Sequence, residues 1–359
     1  MRVTRLACKG FRCLKDLSFD PGPGVNILSG DNAQGKTSVL EALLFLVTAR
    51  SHRTTKEGDL AAHGAHAFDI SGAFERHGRP LAMEIHWRRG QKRFKVNGAV
   101  QDRVSDILGK VHVVFFSPED VELVRGAGAV RRRFLDMELS QLSGRYLHAL
   151  QQYRQVLRQR NELLKAPRPD ESLLAIWEQQ LARHGAIITA ERRRFAETLR
   201  GLARDAYQRI ARREDFEMRY AANIDADEPE AFLEALEANR ARDIKRGAST
   251  RGPHRDELDF EIGGQPARNF GSQGQQRTAA LALKLAELEL VRQIGGEYPV
   301  LMLDDVLSEL DARRSRQLAG ALPAGVQCIL TATDPGGGRS VLPVEHTAFV
   351  IEDGCLERK

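Results

Sequence analysis

A glycine-rich segment near the start of the chain has the residue types and spacing of a phosphate-binding loop. It follows a short apolar run at residues 25–28 and opens an apolar-faced stretch from about 36 to 48, which predicts a strand, a loop and a helix in that order. Glycines let backbone N–H groups turn inward on phosphate oxygens, and the helix N-terminus adds its positive dipole end. The loop comprises Gly30, Asp31, Asn32, Ala33, Gln34, Gly35, Lys36 and Thr37, followed by Ser38.

Two residues of this loop carry the chemistry expected of a nucleotide site. The Lys36 ammonium is predicted to reach the β- and γ-phosphates of ATP, and the Thr37 hydroxyl to ligate Mg²⁺. The sequence therefore predicts a P-loop with ATP and Mg²⁺ as its ligands.

A second carboxylate-bearing element lies far downstream. Four apolar residues at 300–303 predict a buried strand that delivers Asp304 and Asp305 to its C-terminal end, the edge where α/β sheets bind ligands. In this Walker B interpretation Asp304 holds the metal, and Asp305 orients or deprotonates the attacking water. Lys36 and Asp305 are the predicted catalytic residues.

More than 260 residues separate the P-loop from this element, which is the arrangement of ABC-type ATPases. Just upstream of the Walker B strand, Ser272, Gln273, Gly274 and Gln275 open a predicted helix and resemble the ABC signature motif. A serine hydroxyl and free N–H groups at a helix N-terminus form an anion site. We expect this site to meet the γ-phosphate on the P-loop of a second copy, so that ATP links a homodimer; a simple helix cap is the alternative.

The segment after Walker B resembles the remaining ABC motifs only in part. Ser308 to Asp311 is similar to the D-loop, which packs across the same interface, with Ser308 and Asp311 as its candidate residues. At the next strand end, where many ABC proteins carry a switch histidine, the chain has Thr331, Ala332 and Thr333. No lobe-linking glutamine can be assigned. These departures predict slow hydrolysis.

The elements that must position these motifs define an α/β fold. A β-rich lobe with the P-loop is expected at residues 1–127, a compact helical arm at 128–246, and an α/β lobe with signature and Walker B at 247–359. The fold class is thus a P-loop ABC-type ATPase head, a mixed β lobe plus an α/β lobe, with an inserted helical arm.

Composition narrows the class of protein further. The 359 residues are 42% hydrophobic and 29% charged, ordinary values for a globular protein, and no apolar run approaches the length of a membrane span. The N-terminus has no signal-peptide pattern, so a cytoplasmic location without a membrane is expected. The ATP-binding subunit of a membrane transporter stays open as an alternative, although the missing histidine and the long middle region disfavour it.

The net charge of +5 leaves two local excesses of positive charge. Residues 121–160 contain eight arginines against three acidic residues, and residues 240–255 contain six basic residues against one aspartate. Such clusters can track the phosphates of duplex DNA, with Arg131 and Arg132 as the candidate contacts. A solvated helix face, or arginines buried against acidic partners, are the alternatives.

Taken over its full length, the chain resembles the RecF family of recombination mediators, whose heads are similar to those of SMC proteins. The resemblance lies in Gly10-Phe11-Arg12, the P-loop, the block 117–136, the block 250–256, the signature and Walker B. It implies a DNA-repair ATPase that dimerises with ATP on duplex DNA and helps to load the RecA recombinase at gapped DNA. It also implies RecR as a partner, RecO as a second candidate partner, and a place for Arg12 near the nucleotide.

Overall fold

The computed structural model describes residues 1–211, 214–306, 320, 322–333 and 345–359. Two compact units make up the chain. The first unit comprises Met1–Asp120, Arg209–Arg212 and Leu281–Lys359, and the second unit comprises Val121–Gln208 and Arg213–Ala280. The boundaries predicted at 127/128 and 246/247 do not coincide with the limits of these units, because residues 247–280, assigned from sequence to the last lobe, belong to the second unit.

The described part of the chain contains both strands and helices, often in runs of several elements of one kind. The strands are β1 (Arg2–Phe11), β2 (Leu14–Phe19), β3 (Val25–Ser29), β4 (Ala67–Arg76), β5 (Arg79–Arg88), β6 (Gln91–Val96), β7 (Ala99–Gln101), β8 (Val113–Phe116), β9 (Phe216–Ala221), β10 (Glu257–Ile262), β11 (Gln265–Pro266), β12 (Val300–Leu303), β13 (Cys328–Ala332), β14 (His346–Glu352) and β15 (Cys355–Arg358). The helices are α1 (Lys36–Thr48), α2 (Glu122–Arg125), α3 (Gly128–Leu142), α4 (Gly144–Leu164), α5 (Glu171–Ala211), α6 (Pro229–Arg246), α7 (Ala267–Phe270) and α8 (Gln273–Gly295).

One sheet of the first unit is antiparallel, with the strand order β2-β1-β4-β5-β6-β7. Its strands alternate buried and exposed residues, as expected for a sheet with one face on the core. The sequence predicts a single mixed strand over residues 2–14, and this is wrong. Arg12 has a φ of 53°, which reverses the chain, so that Phe11 pairs with Leu14 and two strands form a hairpin.

The other sheet of the first unit carries the ends of the predicted motifs. Its order is β15-β14-β3-β13-β12-β8, and β14, β3, β13, β12 and β8 are parallel. Strands β8, β12 and β13 are buried at every position, because parallel strands are covered on both faces. The C-terminal ends of β3, β12 and β13 therefore share one edge of the sheet.

Helix α1 begins at Lys36, near the end of the P-loop, as predicted. Twelve of its 13 residues are buried. One hydrophobic core includes α1 together with residues of both sheets, such as Phe11 and Phe68 of the antiparallel sheet and Met302 and Ile329 of the parallel one. Burial on nearly all sides fixes the helix, and with it the loop that precedes it.

The second unit combines helices α2–α7 and the start of α8 with a small antiparallel sheet of order β11-β10-β9. Helix α4 ends at Leu164, shortly before Pro167 and Pro169, and α5 then runs for 41 residues, about 60 Å of helix. Strand β9 lies inside the region predicted to be helical. It forms because β10 pairs with it over six residues, a contact between distant segments that no local pattern indicates.

Candidate functional site

The P-loop lies between the C-terminal end of β3 and the start of α1, and two of its glycines are required by the backbone. Gly30 has a φ of 151°, and a Cβ there would lie 2.4 Å from the carbonyl oxygen of Ile351. Gly35 has a φ of 116°, and a Cβ there would lie 3.1 Å from the Cys13 sulfur. Any larger residue at either position would strain or displace the loop.

A turn near the C-terminus fixes the outer side of the P-loop. The Gln34 side-chain oxygen accepts a hydrogen bond from the Asp353 N–H at 2.6 Å, and the Gln34 carbonyl accepts one from the Gly354 N–H at 3.1 Å. Asp-Gly is a recognisable turn signal between β14 and β15. Nothing in the sequence indicates that this turn contacts a residue 319 positions away.

The Lys36 amine lies over the loop and is 7% exposed. It donates hydrogen bonds to the carbonyl oxygens of Gly30 at 2.6 Å and Asp31 at 2.7 Å. Burial lowers the pKa of the Lys36 amine, and the carboxylates of Asp305 and Asp304 oppose that shift. The amine is thus positioned to exchange carbonyl oxygens for phosphate oxygens.

The predicted metal residues meet across the sheet edge. The Thr37 hydroxyl donates to the Asp304 carboxylate at 2.9 Å, although 267 residues separate the two. Mg²⁺ prefers such hard oxygen ligands and commonly takes only one or two protein groups beside substrate phosphates and water. Among the described residues no cluster of three or more His, Cys, Asp or Glu side chains could hold a metal alone. The pair therefore fits a Mg²⁺ ion bound together with a nucleotide.

Sequence reasoning missed the functional importance of Thr331, which ties the two Walker B carboxylate residues together. Its hydroxyl, at the end of β13, donates to Asp304 at 2.9 Å and accepts a hydrogen bond from the Asp305 N–H at 2.8 Å. Asp305 has a φ of 50°, a left-handed conformation that is uncommon outside glycine and that concentrates at functional sites. The hydrogen bond from its N–H helps to hold that conformation. The sequence alone indicates only that this position lacks the switch histidine.

Arg12 lies on another side of the site, where several hydrogen bonds hold its guanidinium. Arg12 donates to the Glu41 carboxylate from Nε at 2.9 Å and from Nη2 at 2.8 Å, and a third N–H reaches the Asp59 carbonyl. Burial by itself raises the pKa of the Glu41 carboxyl, but hydrogen bonds from Arg12 and Ser51 hold that pKa below its usual range. Glu41 therefore stays ionised and fixes the arginine.

Arg12, Lys36, Thr37, Asp305 and Thr331 line a cleft of about 740 Å³ in the first unit. The cleft brings together most of the residues that the sequence assigned to the nucleotide. Its lining also includes Arg53, His63, Thr331 and Thr333, which sequence reasoning did not assign. The lining residues that were predicted are Arg12, Asn32, Ala33, Gly35, Lys36, Thr37, Ser38 and Asp305.

The candidate signature lies in the second unit, at the start of α8. The Ser272 N–H donates to the Gln275 side-chain oxygen at 2.7 Å, and the Gln275 N–H donates to the Ser272 hydroxyl at 3.2 Å. This reciprocal pair is a capping box, and both hydrogen bonds are exposed. The helix cap considered from sequence is thus present, and the role of the signature toward a second copy stays a prediction. The D-loop candidates Ser308 and Asp311 lie outside the described residues.

The two arginines predicted to contact DNA differ in their surroundings. Arg131 is 4% exposed, pairs with Glu257 at 2.6 Å and donates to two backbone carbonyls. Arg132 is half-buried and donates to the Asp256 carbonyl at 2.8 Å. The geometry gives Arg131 a structural role, and DNA contact by either residue stays a prediction.

The parallel sheet, the P-loop at its edge and the Walker B carboxylate beside Thr37 define a P-loop ATPase fold of the ABC type. Residues 5–166 match the AAA domain family. The chain is 40% identical to the DNA replication and repair protein RecF of Halalkalibacterium halodurans over the full length of both, and 41% identical to that of Geobacillus thermodenitrificans over 99% of both. The chain belongs to the RecF family.

Solved structures agree with this assignment. The structure of the recombination mediator protein RecF-ATP in the RecFOR pathway has a TM-score of 0.91 and 33% identity, covering 99% of this chain and 97% of that one. The Smc head domain of Pyrococcus furiosus has a TM-score of 0.60 and 15% identity, covering 99% and 95%, and shares the fold alone. The predicted α/β ABC-type head and the family resemblance are confirmed. These relatives give the transporter alternative no support.

Proposed function

We propose that this chain binds ATP with Mg²⁺ in the cleft of the first unit and hydrolyses it slowly. The observation that carries the proposal is the convergence of Lys36, Thr37 and Asp304 at one sheet edge, with Thr37 and Asp304 in direct contact. Mg²⁺ held by the Thr37 hydroxyl and the Asp304 carboxylate would neutralise charge on the β- and γ-phosphates. The RecF-ATP complex, whose chain is 33% identical, supports ATP as the nucleotide.

Other residues of the cleft have separate proposed roles in ATP binding and hydrolysis. Lys36 binds the β- and γ-phosphate oxygens, and Arg12, fixed by Glu41, adds positive charge at the cleft wall. Asp305 orients the attacking water and accepts its proton, with its backbone held by Thr331. Thr331 and Thr333 stand where a histidine would assist turnover, which is why we infer slow hydrolysis.

We also propose that ATP links two copies of the chain. Ser272 caps α8 at an exposed position, so the N-terminal end of that helix is accessible to an anion. In the proposed homodimer the γ-phosphate on one P-loop meets the Ser272–Gln275 signature of the other copy, and its loss on hydrolysis lets the copies part.

The biological role proposed is recombinational DNA repair in the cytoplasm. The ATP-bound dimer would bind duplex DNA and help to load the RecA recombinase at gapped DNA, with RecR as a partner and RecO as a second candidate. The relatives, a DNA replication and repair protein and a recombination mediator of the RecFOR pathway, support this role. Among the described residues no helix has both the length and the apolar content needed to cross a membrane.

Two substitutions separate binding from hydrolysis. Lys36→Met removes the ammonium, so ATP affinity should fall at least about tenfold, since hydrogen bonds to charged groups are worth roughly 1.5–3 kcal/mol each. Asp305→Asn keeps a polar side chain but no base, so ATP should bind normally and persist. Equilibrium ATP binding and single-turnover hydrolysis should be measured on both.

Lys110→Met is the matched control, because Lys110 is exposed and does not line the cleft. It should bind and hydrolyse ATP like the unmodified protein. Normal ATP affinity in Lys36→Met would remove the cleft as the nucleotide site. Normal hydrolysis in Asp305→Asn would show that another group is the base.

A further inference from the structure

A pocket in the second unit, distinct from the ATP cleft, is lined by an unusual number of arginines. It has a volume of about 210 Å³ and lies among α3, α4, α5 and the segment around Pro253. We call it the basic pocket. Its polar lining consists of Arg132, Arg133, Arg154, Arg192, Asp136 and the Tyr153–His254 pair. At roughly 30 Å³ per water molecule, the volume equals about seven waters, enough for a small hydrated anion.

One of the four arginines is a structural member of the pocket wall. Arg192 is 2% exposed and donates to the Tyr146 hydroxyl, the Pro253 carbonyl and the carboxylates of Asp136 and Asp256. Its charge is balanced by these two buried carboxylates. It shapes the pocket and has little capacity left for a ligand.

The other three arginines are not balanced in this way. Arg154 is about half exposed and shares Asp136 with Arg192, at 2.6 Å. Asp136 is the only carboxylate that lines the described pocket, and Asp256 also pairs with Arg192. Four guanidinium groups are thus set against two carboxylates, an excess of two positive charges.

Arg132 and Arg133 retain most of their hydrogen-bonding capacity. In the described part of the chain, the Arg132 side chain donates to a neutral backbone carbonyl, that of Asp256. Burial lowers the pKa of its guanidinium, and the carboxylates of Glu257 and Asp256 oppose that shift. The nearby Glu257 is already paired with Arg131 at 2.6 Å. Arg133 is exposed and, in the described part of the chain, makes no hydrogen bond or ion pair.

The far wall of the pocket is neutral and ordered. His254 bonds through Nε2 to the Ser249 carbonyl at 3.1 Å, so Nε2 carries the proton and Nδ1 accepts a hydrogen bond from the Tyr153 hydroxyl at 2.9 Å. Burial lowers the pKa of His254 to about 4, and the charges of Arg255 and Arg132 add to this effect. The charges of Arg255 and Arg132 therefore help burial to keep the His254 ring neutral.

We propose that the basic pocket binds a phosphate group through Arg132, Arg133 and Arg154. Guanidinium groups match phosphate oxygens in geometry and charge. A bound phosphate group would therefore stabilise a cluster of arginines whose positive charge is not fully balanced by carboxylates. The phosphate comes either from a nucleic-acid backbone or from a free ion. This inference is independent of the proposed ATP site, because the basic pocket lies in the other unit. Its lining includes residues of the blocks 117–136 and 250–256, which do not line the ATP cleft.

The test compares two variants of the full chain by calorimetric titration with inorganic phosphate at constant ionic strength. Arg132→Gln/Arg133→Gln removes two of the three proposed ligands, and the glutamine at 132 can still donate to the Asp256 carbonyl. Arg145→Gln is the matched control, because Arg145 is exposed and lies nine residues before Arg154 on α4, on about the opposite face of the helix. Phosphate bound at the P-loop is common to both variants and cancels in the comparison.

We expect phosphate affinity of the pocket to fall about tenfold or more in the double variant and not in the control. A fluorescence titration with a short DNA duplex then identifies the source. Loss of duplex affinity in the double variant assigns the pocket to the DNA backbone, and retention assigns it to a free phosphate. Unchanged affinity for both ligands would overturn the proposal. If the double variant unfolds, Arg133→Gln, which breaks no contact of the described structure, gives the same test with about half the charge change.

Discussion

Replacing Thr331 by valine should separate hydrolysis from nucleotide binding. Valine keeps the shape of the 1% exposed side chain but removes the hydroxyl that joins Asp304 to the Asp305 N–H. Asp304 retains its hydrogen bond from Thr37 at 2.9 Å, whereas the Asp305 N–H loses the partner that the structure gives it at 2.8 Å. The change therefore acts mainly on Asp305.

The size of the effect follows from the cost of that lost hydrogen bond. A buried donor left without its partner costs about 1–3 kcal/mol, and the left-handed conformation of Asp305 costs about the same when nothing holds it. If this energy is lost in the transition state, the turnover number kcat falls about 5- to 150-fold. ATP affinity should change less than about threefold, because Lys36 and the loop are untouched.

Single-turnover hydrolysis and equilibrium ATP binding should be measured on Thr331→Val and Thr331→Ser. Serine restores the hydroxyl and should recover most of the lost rate, a rescue that a merely structural role for the methyl group would not give. Wild-type hydrolysis in Thr331→Val, or an equal loss in both variants, would refute the positioning role of the hydroxyl.

Two further predictions concern buried charges of the second unit. Arg160→Met removes the cation shared by the fully buried carboxylates of Glu178 and Asp243. Glu178 keeps its ion pair with Arg240, whereas Asp243 keeps only neutral donors in the described structure. Denaturant unfolding should therefore show a loss of about 3 kcal/mol, the low end of the cost of breaking a buried pair, while Arg158→Met on the exposed side of α4 should change little. The pKa of His254 is about 4 in the fold against 6.5 when unfolded, so stability is retained above pH 6.5 and lost as the pH falls toward 4, by about 2–3 kcal/mol at pH 4.5. His254→Gln should remove that part of the pH dependence, and an unchanged pH profile in this variant would contradict the assignment.

The local motifs could be predicted because residues close together in the chain determine their geometry. The strand, loop and helix around Lys36 follow from apolar spacing and glycine placement, and the observed helix begins and ends where expected. The same holds for the apolar strand before Asp304. In each case the pattern lies within one short stretch of the chain, residues 25–48 and 300–305, and predicts both the element and its role.

The contacts that complete the site could not be predicted because they join distant parts of the chain. The order of the strands in the parallel sheet brings Thr331 and the Asp353–Gly354 turn to the site. That order cannot be predicted from the sequence pattern. The surroundings of the three arginines at 131–133 could not be predicted from the sequence either. Which of them is buried depends on the phase of α3 and on Glu257, a partner 126 residues away.

The measurement that bears most directly on the proposed ATP-linked site is sedimentation velocity of the full chain with and without Mg·ATP. The unmodified protein should shift from monomer to dimer when ATP is added. Ser272→Arg should bind ATP with nearly unchanged affinity and remain monomeric. Ser143→Arg is the matched control, since Ser143 caps α4 in the same way and its loss costs about 1 kcal/mol of stability without touching the signature; it should still dimerise. An ATP-dependent dimer formed by Ser272→Arg would contradict the shared site.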